Sequence, residues 1–276
     1  METELTPLIF VAVVFIALLC QFLSVSLGVG YGTPLTPVLL IMGFTPLNAV
    51  PAVLLSQLAG GVVGGLVHHR VRNIELDFRR DDKLVKERLR GLGYLPRSKD
   101  AKVVFILVSC GIIGVIVGVL TAISIPEDVL AIYIGAMVLT IGLVILFRRN
   151  SKAMFSWKGI ITVGVLGAFN KGISGGGYVP LVTGGQIISG HEIRSSVGIT
   201  TVAIAILCAV GFSAYLIFEE GSFFWWLAAA ASIGSVIAAP FAALTTKRIN
   251  TERLRLYIGL ALFILGALTL VATFLL

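Results

Sequence analysis

Hydrophobic positions along this chain gather into long, nearly uninterrupted runs, and the polar residues are confined to short intervals between them. Runs can be drawn at about 5–27, 47–69, 102–123, 128–147, 158–173, 195–218, 223–245 and 256–275. Each approaches the ~20 residues that a helix needs to cross a hydrocarbon core of ~30 Å. Two further stretches, 28–45 and 174–190, are apolar but short, and both are broken by Gly and Pro. The pattern predicts an all-α integral membrane protein, with eight long helices and two short broken segments.

Charge supplies the topology. Of the Lys and Arg residues, eleven lie between Arg70 and Lys102. Arg148, Arg149, Lys152 and Lys158 form a second basic tract, and Lys247, Arg248, Arg253 and Arg255 a third. Basic loops stay on the cytoplasmic side of a membrane, so all three tracts are expected inside. The connections holding Glu127, Asp128, Glu219 and Glu220 carry no Lys or Arg and are expected outside. Alternating the sides forces both short segments to cross. The expected result is ten crossings, five per half, with both termini outside. Residues 1–147 form a first repeat with a basic loop at 70–101, 148–157 a cytoplasmic linker, and 158–276 a second repeat.

Composition agrees with that solvent. The 276 residues are 57% hydrophobic and 13% charged, with a mean hydropathy of +1.02, too apolar for a soluble domain of this size. A net charge of +7 comes from scattered tracts and not from one patch, which argues against a nucleic-acid partner. The first residues, Met1-Glu2-Thr3-Glu4, lack the cationic start of a signal peptide, so the first run is expected to remain as a span. Cys20, Cys110 and Cys208 fall singly within apolar runs and read as packing residues.

The two halves repeat one another. Gly28-Val29-Gly30-Tyr31-Gly32, followed by Pro37 and Gly43, parallels Gly172-Ile173-Ser174-Gly175-Gly176-Gly177, followed by Pro180 and Gly190, at an offset of about 145. Five crossings per half place the second copy upside down relative to the first, an arrangement suited to alternating access. Gly/Pro-broken segments at matching places in two halves point to a midplane site, where helix N-termini attract anions. The same glycines also suit close helix packing alone.

Lys171 sharpens the choice. Apart from Arg194 at a span end, it is the one Lys or Arg outside the basic tracts, and no Asp or Glu lies deep in a span to pair with it. Such a residue costs about 2.5–3.5 kcal/mol on insertion scales and normally faces a polar cavity or a partner. A bound anion would serve as that partner, whereas snorkelling to the headgroups is the plainer alternative. Asn170, Gly172, Ser174, Gly175, Gly176 and Gly177 from the second motif, and Ser26, Gly28, Gly30, Gly32, Thr33 and Thr36 from the first, complete the candidate substrate site. Ser24, Asn48 and Gln57 join the polar members of that list in a second tier, because a lone polar residue in a membrane helix usually bonds backbone or a neighbouring helix.

Other polar features have plain explanations beside sharper ones. His191, Glu192 and Arg194 suit either a gate or proton site or a solvated helix start. His68 and His69 sit at an inner helix end, where the helix dipole favours cations. Residues 81–90 have the spacing of a short interfacial helix, with a partner surface as the alternative. Trp157, Trp225 and Trp226 fit aromatic belts. The chain carries no HExxH, GxSxG or Walker motif and no intramembrane carboxylate pair. Neither an enzyme nor an ATP-driven pump is indicated, and no metal or cofactor is implied.

The early Gly-rich motif with Pro37 and Gly43, its counterpart Gly172–Gly177 with Val179-Pro180-Leu181, and the basic central loop together resemble the TauE/SafE sulfite exporter family. The resemblance covers nearly the whole chain. It implies a transporter in the cell membrane whose substrate is sulfite or an organosulfonate, although the family is often described with seven or eight spans. With the cell interior negative, outward movement of one negative charge gains about 2.3 kcal/mol per 100 mV, so export is expected to be able to run without a coupling ion. An anion channel is the nearest rival, and a non-transporting scaffold recruiting a partner through residues 70–100 is the rival of another class. Assembly into a homo-oligomer is left open.

Overall fold

The computed structural model describes residues 6–77, 98–147, 157–188, 192–219, 223–246 and 251–275. The interfacial helix expected at 81–90, the linker through residue 156 and His191 lie outside them. Ten helices occupy the described residues: α1 Pro7–Leu27, α2 Gly32–Ile41, α3 Pro46–Arg70, α4 Lys99–Ser124, α5 Glu127–Phe147, α6 Trp157–Ser174, α7 Tyr178–Ile188, α8 Ile193–Phe218, α9 Trp225–Thr245 and α10 Thr251–Leu275.

Local chemistry sets several of the ends. Thr6 accepts a hydrogen bond from the Ile9 amide with Pro7 in the first turn, and Ser98 accepts from Ala101 at the start of α4. Gly28 ends α1 in the left-handed region at φ 71°, its N–H bonded to the Ser24 carbonyl.

Six helices, α1, α3, α4, α5, α8 and α9, are long and apolar enough to cross a membrane. Their outward faces are apolar: Leu8, Val11, Phe15 and Leu19 make an exposed stripe along α1 at helical spacing, as a lipid-facing helix requires. The short helices are different. At ~1.5 Å per residue, α2 and α7 each reach about half of the ~30 Å core, so neither spans it as helix alone.

Packing exchanges partners between the halves. α1 lies on α9, and α6 lies on α4; α9 also packs on α3, and α4 on α8; α3 meets α8, and α5 meets α10. Small residues allow these contacts to be close. A Cβ on Gly118 of α4 would stand 2.3 Å from the Phe169 carbonyl of α6, and one on Gly234 of α9 would stand 2.1 Å from the Val14 carbonyl of α1. Backbone against backbone is how helices associate where lipid leaves no hydrophobic drive between them.

Helix boundaries recur in the two halves. α1 ends at residue 27 and α6 at 174, α2 ends at 41 and α7 at 188, and α3 begins at 46 and α8 at 193, a constant separation of 147 residues. This register replaces the offset of about 145 read from the glycines. It aligns Gly28-Val29-Gly30-Tyr31 with Gly175-Gly176-Gly177-Tyr178, and the backbone repeats with it: φ is 71° and 99° at Gly28 and Gly30, 68° and 79° at Gly175 and Gly177. Glycine takes such values with least strain.

Candidate functional site

The two chain breaks meet inside the molecule. α2 starts immediately after the first break and α7 after the second, so the N-termini of two half-length helices lie beside each other. Gly32 is in contact with Gly175: a Cβ on Gly32 would stand 1.7 Å from the Gly175 carbonyl oxygen. Gly176 lies against the backbone of Gly32 and Thr33, and the Gly177 amide donates to Thr33 Oγ1 at 3.3 Å. Gly30 faces Val179 and Pro180. Tyr31 and Tyr178, in register with each other, are both fully buried, and the Tyr31 hydroxyl lies 2.9 Å from Ser56 Oγ on α3.

Lys171 reaches into this junction from the last turn of α6. It is 1% exposed, so it does not snorkel, and its ammonium donates to Gln57 Oε1 of α3 and to the Gly175 carbonyl. Among the described residues it forms no ion pair with a carboxylate. Cys208 of α8 lies 4.0 Å from the same Gln57 oxygen. An ammonium has three protons; two go to the Gln57 and Gly175 oxygens, the Cys208 thiol also interacts with it, and none of the three partners is a carboxylate. The Thr36 hydroxyl faces Gly175 and is buried with no hydrogen-bond partner among the described residues.

The structure therefore brings together Lys171, Gly30, Gly32, Thr33, Thr36, Gly175, Gly176 and Gly177, together with Gln57. Gly28 sits at the edge of this group, packed on Thr183 and Val197. The remaining candidates have local partners in this structure. Gly172 is a helix-packing glycine, its place for a Cβ only 2.3 Å from the Val115 carbonyl of α4. Ser174 bonds back to the Asn170 carbonyl and receives the Gly176 amide, which closes the end of α6. The Asn170 side chain accepts from the Tyr133 hydroxyl, and Ser26 bonds the Phe22 carbonyl in its own helix. Asn48 bonds Thr45 at an exposed helix start.

At the basic end of the molecule an open recess of about 330 Å³ is lined by Arg72, Asn73, Ile74, Glu75, Lys99, Asp100, Glu192 and Ser195. Asp100 crosses it, accepting from the Ser195 hydroxyl of α8 at 2.9 Å and from the Glu75 amide at 3.0 Å. Glu192 and Arg194 form an exposed pair at 3.9 Å beside it, away from Lys171. His68 is buried with both ring nitrogens occupied, by the Val25 carbonyl and by Asn73. At the opposite end, burial and then the charge of Glu127 raise the pKa of Glu219.

A family model described as sulfite exporter TauE/SafE matches residues 91–269, which include the second break and Lys171. The chain belongs to the TauE/SafE family. It is also 26% identical over 270 residues to the probable membrane transporter protein YtnM of Bacillus subtilis (strain 168), covering 93% of this chain and 81% of that relative. No solved structure matches significantly. A TauE/SafE chain with a multi-pass helical fold and a relative of that name is a membrane transport protein. The sequence did not single out Tyr31 and Tyr178, whose signal is their place after each Gly-x-Gly, and the Gln57–Lys171 contact joins residues far apart in the chain.

Proposed function

We propose that the protein is a secondary carrier of a small anion, sulfite or an organosulfonate, moving it outward through a midplane site between the two breaks. The observation that carries this is the buried Lys171 ammonium, held by the neutral oxygens of Gln57 and Gly175 and beside the Cys208 thiol, at the point where the N-termini of α2 and α7 converge. A positive charge and two helix N-termini at one place favour an anion. Thr33, Thr36 and Gln57 supply hydroxyl and amide groups around it.

Alternating access requires two related halves, and the fold has features suited to it. The 147-residue register shared by the first three helices of each half and the exchanged packing, α1 on α9 as α6 on α4, support a 5+5 inverted repeat. In that reading the short helices and their breaks together complete ten crossings, with the basic loops cytoplasmic and both termini outside. The family description supports a sulfur oxyanion as substrate, and a negative interior favours export.

The test is flux of labelled sulfite, sulfoacetate and sulfate in proteoliposomes at clamped potential, for the wild type and Lys171→Ala. Saturable flux that collapses in the variant supports carrier and site. Non-saturating flux favours a channel. No flux of any tested anion from the wild type sinks the proposal and turns attention to a scaffold role.

A further inference from the structure

Between the recess and the central site lies a second set of buried polar groups that the carrier reading does not use. Thr183 and Gln186 project from α7, and Ser196 and Thr200 from α8; all four are at most 2% exposed. Thr183 Oγ1 lies 3.1 Å from Thr200 Oγ1, Gln186 Nε2 donates to the same hydroxyl at 2.9 Å, and Thr200 donates to the Ser196 carbonyl at 2.8 Å. Gln186 Oε1 and the Ser196 hydroxyl are buried with no hydrogen-bond partner among the described residues. Leaving such groups unpaired in a low-dielectric interior costs roughly 1–3 kcal/mol each.

The fold does not demand polar residues there. In the 147-residue register these four positions correspond to Thr36, Leu39, Ala49 and Val53, and the last three belong to an apolar core. The equivalent α2–α3 seam is thus built largely dry. Both ends of the polar seam also lead somewhere. Ser195, next to Ser196, lines the recess, and Thr183 packs on Gly28 at the first break.

We propose that the α7–α8 seam, through Ser196, Gln186, Thr200 and Thr183, is the water-bearing passage by which a small oxyanion moves between the basic-end recess and the central site. This rests on the carrier reading. The open hydroxyl of Ser196 offers a proton to an anion oxygen, and the open carbonyl of Gln186 accepts one from accompanying water. In the conformation described the passage is shut, with the Asp100–Ser195 bond across its mouth.

The test uses cysteines placed singly in the full chain, in inside-out membrane vesicles, with an anionic membrane-impermeant thiosulfonate. Reaction is counted above that of the unsubstituted protein, which retains Cys20, Cys110 and Cys208. Ser196→Cys and Gln186→Cys should react at least tenfold faster than Ile199→Cys, a fully buried core position on α8, and excess sulfoacetate should slow them. Each is repeated with Asp100→Ala, which removes the bond across the mouth and should speed reaction at 196 but not at 199. Seam cysteines no faster than Ile199→Cys in both backgrounds overturn the passage, and saturable wild-type flux beside that result leaves the carrier reading intact. Fast seam labelling without flux of any anion shows a water-filled seam but removes the carrier reading and overturns the anion passage with it.

Discussion

Gly32 and Gly175, 143 positions apart in the chain, touch so closely that a single methyl group on Gly32 would overlap the Gly175 carbonyl. The same carbonyl accepts from Lys171. Contact between the halves and placement of the buried cation therefore depend on one another.

Gly32→Ala tests that dependence. The added carbon meets backbone, which cannot swing aside as a side chain can, so the breaks must separate or α2 must shift. Overpacking of this kind costs about 1–3 kcal/mol. The expected outcome is a folded protein with a lowered melting temperature and flux reduced at least tenfold. Unchanged flux in proteoliposomes would show that the junction does not govern the site.

Lys171 and Gln57 should behave as one unit. Lys171→Met keeps length and removes charge, and Gln57→Leu removes the acceptor. A hydrogen bond to a charged group contributes about 1.5–3 kcal/mol, so a double-mutant cycle on substrate affinity should show coupling of that order. The double variant should bind little worse than Lys171→Met alone. Additive losses would mean that Gln57 does not position the ammonium.

Much of this was legible in the sequence, because the signals were local. Runs of apolar residues located the helices, and clustered Gly and Pro located both breaks. The site was only partly legible. Gln57 and Lys171 are 114 positions apart, and nothing local in the chain couples them. Ser26 and Ser174 read as ligand groups, yet a Ser in a helix readily bonds the carbonyl four residues back, and both do so. The seam was invisible for the same reason: Thr183, Gln186, Ser196 and Thr200 are unremarkable one at a time.

Gly118→Leu tests the α4–α6 contact. Gly118 sits where α4 meets the Phe169 carbonyl, outside the junction. A leucine there forces α4 from α6, and the loss should appear as less folded protein in detergent and a lower melting temperature. Ile113→Ala, on the exposed face of the same helix, should stay within about 0.5 kcal/mol of the wild type. Equal effects from the two would refute a specific α4–α6 contact.

Glu219 gives a pH-dependent prediction. It follows α8, and one of its carboxyl oxygens is buried without a hydrogen-bond partner among the described residues. Burial foremost, and the neighbouring Glu127 charge second, raise its pKa in the fold. A raised carboxyl pKa means that the folded state favours the neutral form, so its contribution to stability is complete below the unfolded pKa. It is lost as pH rises through the folded value. Glu219→Gln is neutral at every pH, so its melting temperature should exceed the wild type's at pH 8 and match it near pH 4. Glu127→Gln should narrow the gap at pH 8, because it removes the smaller of the two causes. A wild type more stable than Glu219→Gln at pH 8 would mean instead that the charged carboxylate has a favourable partner.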